Sequence, residues 1–226
     1  MDLNGKKLIL SSASPRRKEL LAGLGVDFSI DTNTSFIEHY DPNTPLEEIP
    51  ALMAEGKSEG FHRELAAGEI LLTSDTMVYC DGLVMGKPDG REGAVSMLEH
   101  LSGKTHHVTT AVTLRSADRK ETVSDTAYVH FKELSADEIS YYVDNYKPFD
   151  KAGAYGIQEW IGYIGITGIQ GSYFTIMGLP VHLVYQKLIE FCKEPYSIYK
   201  FRKGETPLME PERAKVSPFP EGRDLG

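Results

Sequence analysis

The sequence predicts an α/β domain built on a mixed sheet, and three features point to it. Residues 8–10 form a short apolar run that passes through a small-residue loop into a helical pattern ending at Gly25, the order of a crossover connection. Asp81-Gly82, set between apolar runs, is a two-residue hairpin signal, so strands there are antiparallel. Residues 107–114 and 122–131 alternate around the polar loop 115–121 and add a second antiparallel pair.

Composition bounds the function. The 226-residue chain is 41% hydrophobic and 25% charged, which suits a folded soluble domain of ordinary size. A net charge of -9 argues against broad nucleic-acid binding, although a small anionic ligand needs only a local positive patch. The two cysteines, Cys80 and Cys192, lie far apart in apolar surroundings and read as buried thiols, with no metal-ligand spacing around them. The start of the chain has no apolar signal core and no run reaches spanning length, so no membrane association and a cytoplasmic location are expected.

In chain order, Ser14 is an N-cap and Pro15 takes the first helical position, where its missing N–H costs nothing. Leu20, Leu21 and Leu24 form the apolar stripe of this first helix. Arg16 and Arg17 are the anomaly, because cations in a first turn oppose the helix dipole. An anion at that helix end reconciles them, phosphate above all; nearby carboxylates or solvent are the plainer explanation.

Residues 26–30 suggest a second strand, and residues 31–43 a polar loop carrying Glu38. Thr44-Pro45-Leu46-Glu47 reads as a capping box for a helix to about Phe61, weakened by Pro50, Gly56 and Gly60 and expected to kink or start late near Pro50. Lys57 shares the stripe of Ile49 and Met53; it either snorkels to solvent or reaches a site at the sheet end. Residues 70–72 open a buried strand that 77–80 continue or restart, so Asp75 sits between apolar segments, a costly place for a lone carboxylate. A hairpin at Asp81-Gly82 without a bulge faces Thr76 with Lys87 and brings an ammonium near Asp75.

Residues 89–100 read as a helix with Asp89 and Glu92 closing a capping box. His106 and His107 read as polar residues at a strand edge rather than ligands. Ser135 to Glu138 form another capping box, opening a helix through Ile139, Tyr142, Val143 and Tyr146. The run DKAGAYGIQ, residues 150–158, allows close backbone approach and matches neither the P-loop nor the dinucleotide fingerprint. Residues 160–167 and 172–177 read as strands around a glycine turn, and 181–191 as the last helix. Residues 194–226, rich in proline and charge, are expected to form an extended or poorly ordered tail after a domain of residues 1–193.

At this point the motifs converge. SSASPRRKELL (11–21), SDT (74–76), GKP (86–88), LSGKTHHVTTAV (101–112) and FDKAGAYGIQ (149–158) follow one another in the order and spacing of the Maf-type nucleotide pyrophosphatases, a resemblance spanning residues 8–191. It implies a fold like that of the inosine-triphosphate pyrophosphatases: a long, twisted mixed sheet with helices around it and a deep cleft between two lobes. It implies hydrolysis of a nucleoside triphosphate to the monophosphate and pyrophosphate with a divalent cation, Mg²⁺ or Mn²⁺. Asp75-Thr76 and Gln158 resemble the branch acting on dTTP and UTP.

Carried over by the same resemblance, Asp75 is the proton acceptor, and Arg16, Thr76 and Gln158 are the specificity positions. Ser12, Arg17, Lys57, Lys87 and Glu38 are polar cleft residues; Arg17, Lys57 and Lys87 are assigned to the phosphates with Ser12 beside them, and Asp75 either deprotonates the water or holds the metal, for which Glu38 is the other candidate ligand. Near a cation the Asp75 pKa is expected to fall. Glu159-Trp160 depart from the pattern where many members carry glycine, and are expected to alter the cleft rim. The alternatives are a non-catalytic nucleotide-binding regulator of cell division, or a pyrophosphatase for another base such as 7-methyl-GTP. A homodimer is one assembly open to such a chain.

Overall fold

A computed structural model of the chain describes residues 1–193; the tail expected at 194–226 lies outside the described residues. The elements run β1 (Lys7–Leu10), α1 (Pro15–Gly23), β2 (Phe28–Ile30), α2 (Ile49–Glu59), β3 (Glu69–Cys80), β4 (Leu83–Met85), α3 (Gly90–Leu101), β5 (Thr105–Arg115) and β6 (Lys120–Phe131). They continue with α4 (Ala136–Tyr146), α5 (Trp160–Gly165), β7 (Ile166–Gln170), α6 (Tyr173–Met177) and α7 (Val181–Cys192).

The sheet is mixed, as expected. Its seven strands run in the order β2-β1-β3-β5-β6-β7, with β4 also on β3. The β1–β2 and β1–β3 pairs are parallel, and the β3–β4, β3–β5, β5–β6 and β6–β7 pairs antiparallel. β3 organises the molecule. On one side it pairs with β5 along most of its length. On the other it pairs with β1 only through Glu69–Leu72 and with β4 only through Val78–Cys80. Residues 73–77 therefore have no strand on that side, and the sheet has a gap with Asp75 at its middle.

The cores fall on either side of this gap. One gathers Leu8, Leu10, Ile70, Leu72, Val112 and Leu114 under Leu21 of α1 and Val184, Leu188 and Phe191 of α7. The other gathers Val78, Cys80, Val108, Val129 and Phe131 under α3 and α4. Between them the long strands carry a belt of buried hydroxyls: Thr73, Ser74, Thr109, Thr110 and Thr113. Each finds a partner, as burial demands. The apolar–polar–apolar reading of residues 70–80 is thus one continuous strand crossing two lobes.

Several local expectations hold and others are corrected. Ser14 Oγ accepts from the Arg17 N–H, and Ser135 and Glu138 complete their reciprocal cap. Asp81 and Gly82 take the left-handed conformation of a tight hairpin turn, with φ of 52° and 77°. α2 starts late, at Ile49, after a 3₁₀ turn, and no side chain caps that turn, so the box at Thr44 does not form. Asp89 caps α3 without a side-chain bond, so Glu92 closes no box there.

Residues 160–165 and 173–177 are short helices rather than strands. Short apolar runs do not distinguish the two by periodicity, and here only 166–170 find a sheet edge, on β6. His106 is fully buried on an interior strand, its Nε2 2.8 Å from the Tyr155 hydroxyl, and burial lowers its pKa to about 3. His107 packs edge-on to Tyr79 and Tyr128 on the other face of the same strand. Both cysteines are free and buried. Among the described residues no helix is long and apolar enough to cross a membrane.

Candidate active site

The gap in the sheet opens into a cavity of about 900 Å³, within the size range that holds a nucleotide-sized ligand. Every expected site residue lines it: Ser12, Arg16 and Arg17 from the β1–α1 segment, Glu38 from the following loop, Lys57 from α2, Asp75 and Thr76 from β3, Lys87 after β4, and Gln158. β1 and β4 both end at the gap, so the segments leaving them supply its walls.

The strand period divides the β3 side chains between two faces. Thr73 and Asp75 face α2: Thr73 Oγ1 donates to the Ala54 carbonyl, and Lys57 Nζ lies 2.6 Å from Asp75 Oδ1. The same ammonium is 2.8 Å from Glu38 Oε1, so Lys57 does not snorkel away but bridges two carboxylates. Lys87 lines the cavity without touching Asp75, because β4 ends at Met85; the cation beside Asp75 is Lys57.

Asp75 corrects the expected sign of its pKa shift. Its side chain is only 14% exposed, and burial raises the pKa above the ordinary carboxylate range, with the Lys57 and Arg17 charges opposing and not overcoming it. Glu38, more open, is held low chiefly by its hydrogen bond from Lys57.

Ser74 and Thr76 face the opposite side, toward α1 and the α6–α7 turn. Arg17 Nε donates to the Gly178 carbonyl at 2.8 Å, its NH2 to Thr76 Oγ1 at 3.0 Å, and its NH1 to Ser12 Oγ at 3.4 Å. Burial is the main influence on this guanidinium and draws its pKa down, Asp75 opposing; arginine stays charged regardless. Arg16 lies 3.5 Å from Asp150. The two first-turn cations therefore find protein acceptors, a carbonyl and hydroxyls for Arg17 and a carboxylate for Arg16. Among the described residues two of the five Arg17 N–H groups are left unengaged.

Gly178 ties these parts together. It sits at φ 102°, and an added Cβ would meet Thr76 Oγ1 at 3.3 Å. Gly178→Ala is expected to cost about 1–3 kcal/mol through backbone strain and to move the carbonyl that holds Arg17. Thermal denaturation checks this: an unchanged melting temperature removes Gly178 from the account. Its sequence context, a glycine before Leu179-Pro180, marks a turn but not its distant partners.

Gln158 lines the same cavity with its Oε1 buried and without a hydrogen-bond partner among the described residues. A buried acceptor left unpaired is costly, so this oxygen has room for one more donor. Glu159, expected at the cleft rim, turns away from the cavity instead: its carboxylate takes the Tyr142 hydroxyl and lies 3.1 Å from Lys151 Nζ. Outside the cleft, Cys80, Asp81 and His100 place ligand atoms within 4.8 Å of one another. Lys104 already holds Asp81 at 2.7 Å and burial pushes the Cys80 thiol up, so the hard oxygen donors of the cleft, Asp75 and Glu38, suit a divalent cation better.

A dTTP/UTP pyrophosphatase of Bacteroides thetaiotaomicron is 48% identical over 187 residues, covering 83% of this chain and 97% of that protein. One of Flavobacterium psychrophilum is 45% identical, covering 81% and 93%. The solved structure of the Staphylococcus aureus Ham1 protein overlaps 82% of this chain and 99% of its own at a TM-score of 0.45 and 12% identity. The family model described as Maf-like protein matches residues 7–191, and the chain belongs to that family.

Proposed function

We propose that this chain is a nucleoside triphosphate pyrophosphatase acting on dTTP and UTP, releasing the monophosphate and pyrophosphate. The observation that carries the reading is the pairing of a buried, raised-pKa carboxylate, Asp75, with cations and an orphaned amide acceptor around one cavity. The named activity of the relatives agrees with it.

In this reading water attacks the α-phosphorus. Asp75 takes the water's proton, a task its raised pKa suits. Lys57, Lys87 and the free N–H groups of Arg17 meet the charge that grows on the departing pyrophosphate, with the Ser12 hydroxyl beside them. A divalent cation, Mg²⁺ or Mn²⁺, would be held by Glu38, the other carboxylate on the Lys57 ammonium; Asp75 is the alternative ligand, a role that excludes its acting as the free base. Such a cation, when bound, neutralises phosphate charge and acidifies water.

Uracil and thymine present an N3–H between two carbonyls. Gln158 Oε1 accepts that N–H, and its amide donates to a flanking carbonyl. Arg16 and Thr76 line the same cavity. Cytosine offers an acceptor at N3, which leaves the Gln158 oxygen unpaired. A triphosphate panel with Mg²⁺ or Mn²⁺ and a pyrophosphate readout tests this. UTP is expected to exceed CTP by about 10²-fold, the upper end of the cost of one unpaired buried polar group. dTTP and UTP are expected within a few-fold, since a methyl is worth about 1 kcal/mol. Equal hydrolysis of CTP and UTP defeats the base assignment, and nucleotide binding without any pyrophosphate favours a non-catalytic regulator.

A further inference from the structure

Glu159 stands next to Gln158 yet plays no part in the cavity wall. Its two carboxylate oxygens are both engaged behind it. One accepts from the hydroxyl of Tyr142, a residue of α4 with no solvent exposure. The other lies 3.1 Å from Lys151 Nζ, a lysine only 9% exposed. The Tyr142 oxygen in turn accepts the Gly156 N–H at 3.0 Å, two residues before Gln158. Lys151 also donates to Asp150 Oδ1 at 2.8 Å, and Asp150 Oδ2 lies 3.5 Å from Arg16.

We propose that Glu159 is a positioning residue for base recognition, the hub of a continuous polar chain that sets Gln158 at one end and Arg16 at the other. The inference deepens the function proposed above and rests on Gln158 reading the base.

The loop is shaped for this contact. A Cβ on Gly156 would sit 2.7 Å from Glu159 Cδ, so the carboxylate reaches under the loop only because that residue is glycine. The Gln158 carbonyl is pinned separately by the Tyr163 hydroxyl at 2.7 Å. With backbone held on both sides, the Gln158 side chain leaves a fixed point on the loop, and its unpaired oxygen belongs to a residue that lines the cavity. The phosphate-facing groups and the general base come from other elements: Lys57 from α2, Arg17 from α1, and Asp75 from β3. Loosening the Glu159 hub therefore separates base reading from phosphate handling.

The test compares kcat/KM for UTP and CTP in Glu159→Gln, Tyr142→Phe and Gln158→Ala, beside the wild type. Glu159→Gln keeps an acceptor for Tyr142 and loses the charge that faces Lys151. Tyr142→Phe deletes one hydroxyl from the core and stands in if the first variant does not fold. Either is expected to lower the UTP-to-CTP ratio about ten-fold or more, mainly through KM for UTP, as expected for a misplaced contact. A ratio equal to wild type in the folded variants, whether the two rates fall together or stay put, overturns the inference. Gln158→Ala separates the two failures. If it collapses the ratio and the hub variants do not, the inference fails alone; if it leaves the ratio unchanged, the base reading and the inference fail together.

Discussion

Asp75→Asn is expected to cut turnover by about 10³-fold or more while leaving the protein folded and no less stable at neutral pH. The rate loss follows from removing the group that takes the water's proton. The stability expectation follows from the raised pKa. Between the ordinary carboxylate range and that raised value, the folded chain holds a proton that the unfolded chain has released. Stability therefore falls as pH rises through this window and stays lower above it. Asn carries no such penalty, and Lys57 keeps Glu38 at 2.8 Å as a partner. Melting curves at pH 7 and pH 5, with pyrophosphate release measured alongside, check both halves. The gap in stability between variant and wild type is expected to narrow on acidification. Near-normal turnover, or a variant much weaker than wild type at both pH values, would reject the assignment.

The same carboxylate shows where sequence reasoning stops. That Asp75 lies among apolar residues, that Ser14 caps a helix and that Asp81-Gly82 turns a hairpin are local facts, and local chemistry made them legible. The mixed sheet was legible for the same reason, since one crossover pattern and two hairpin patterns fix strand directions. The sign of the Asp75 shift was not, because it depends on how far two lobes bury the residue, and neighbours in sequence do not report that. Arg17 is a similar case. Its main acceptor, the Gly178 carbonyl, comes from the far end of the chain, so first-turn cations look unpaired until α6 and α7 are folded against α1. Tyr142 reads as one more apolar position on α4, and only the fold turns its hydroxyl toward Glu159. Residues 160–165 and 173–177 failed differently: their apolar runs are too short for either period to declare itself.

Lys57→Met is the second change expected to have a large effect, and it tests the cleft's electrostatics rather than any one role. Methionine keeps an unbranched stem beside Ile49 and Met53, so α2 has no reason to move. What disappears is the cation that offsets the burial of Asp75 and holds Glu38 low. The Asp75 pKa must then rise further, and the acid limb of the kcat/KM–pH profile must move toward alkaline pH, because the ionised form is the one that accepts a proton. At neutral pH a loss of about 10²–10³-fold is expected, from the missing positive charge on the phosphates together with the smaller ionised fraction. Raising the pH should restore the second part and not the first. A rate loss with the acid limb unmoved would mean that Lys57 serves the phosphates alone and that Asp75 is ionised without its help.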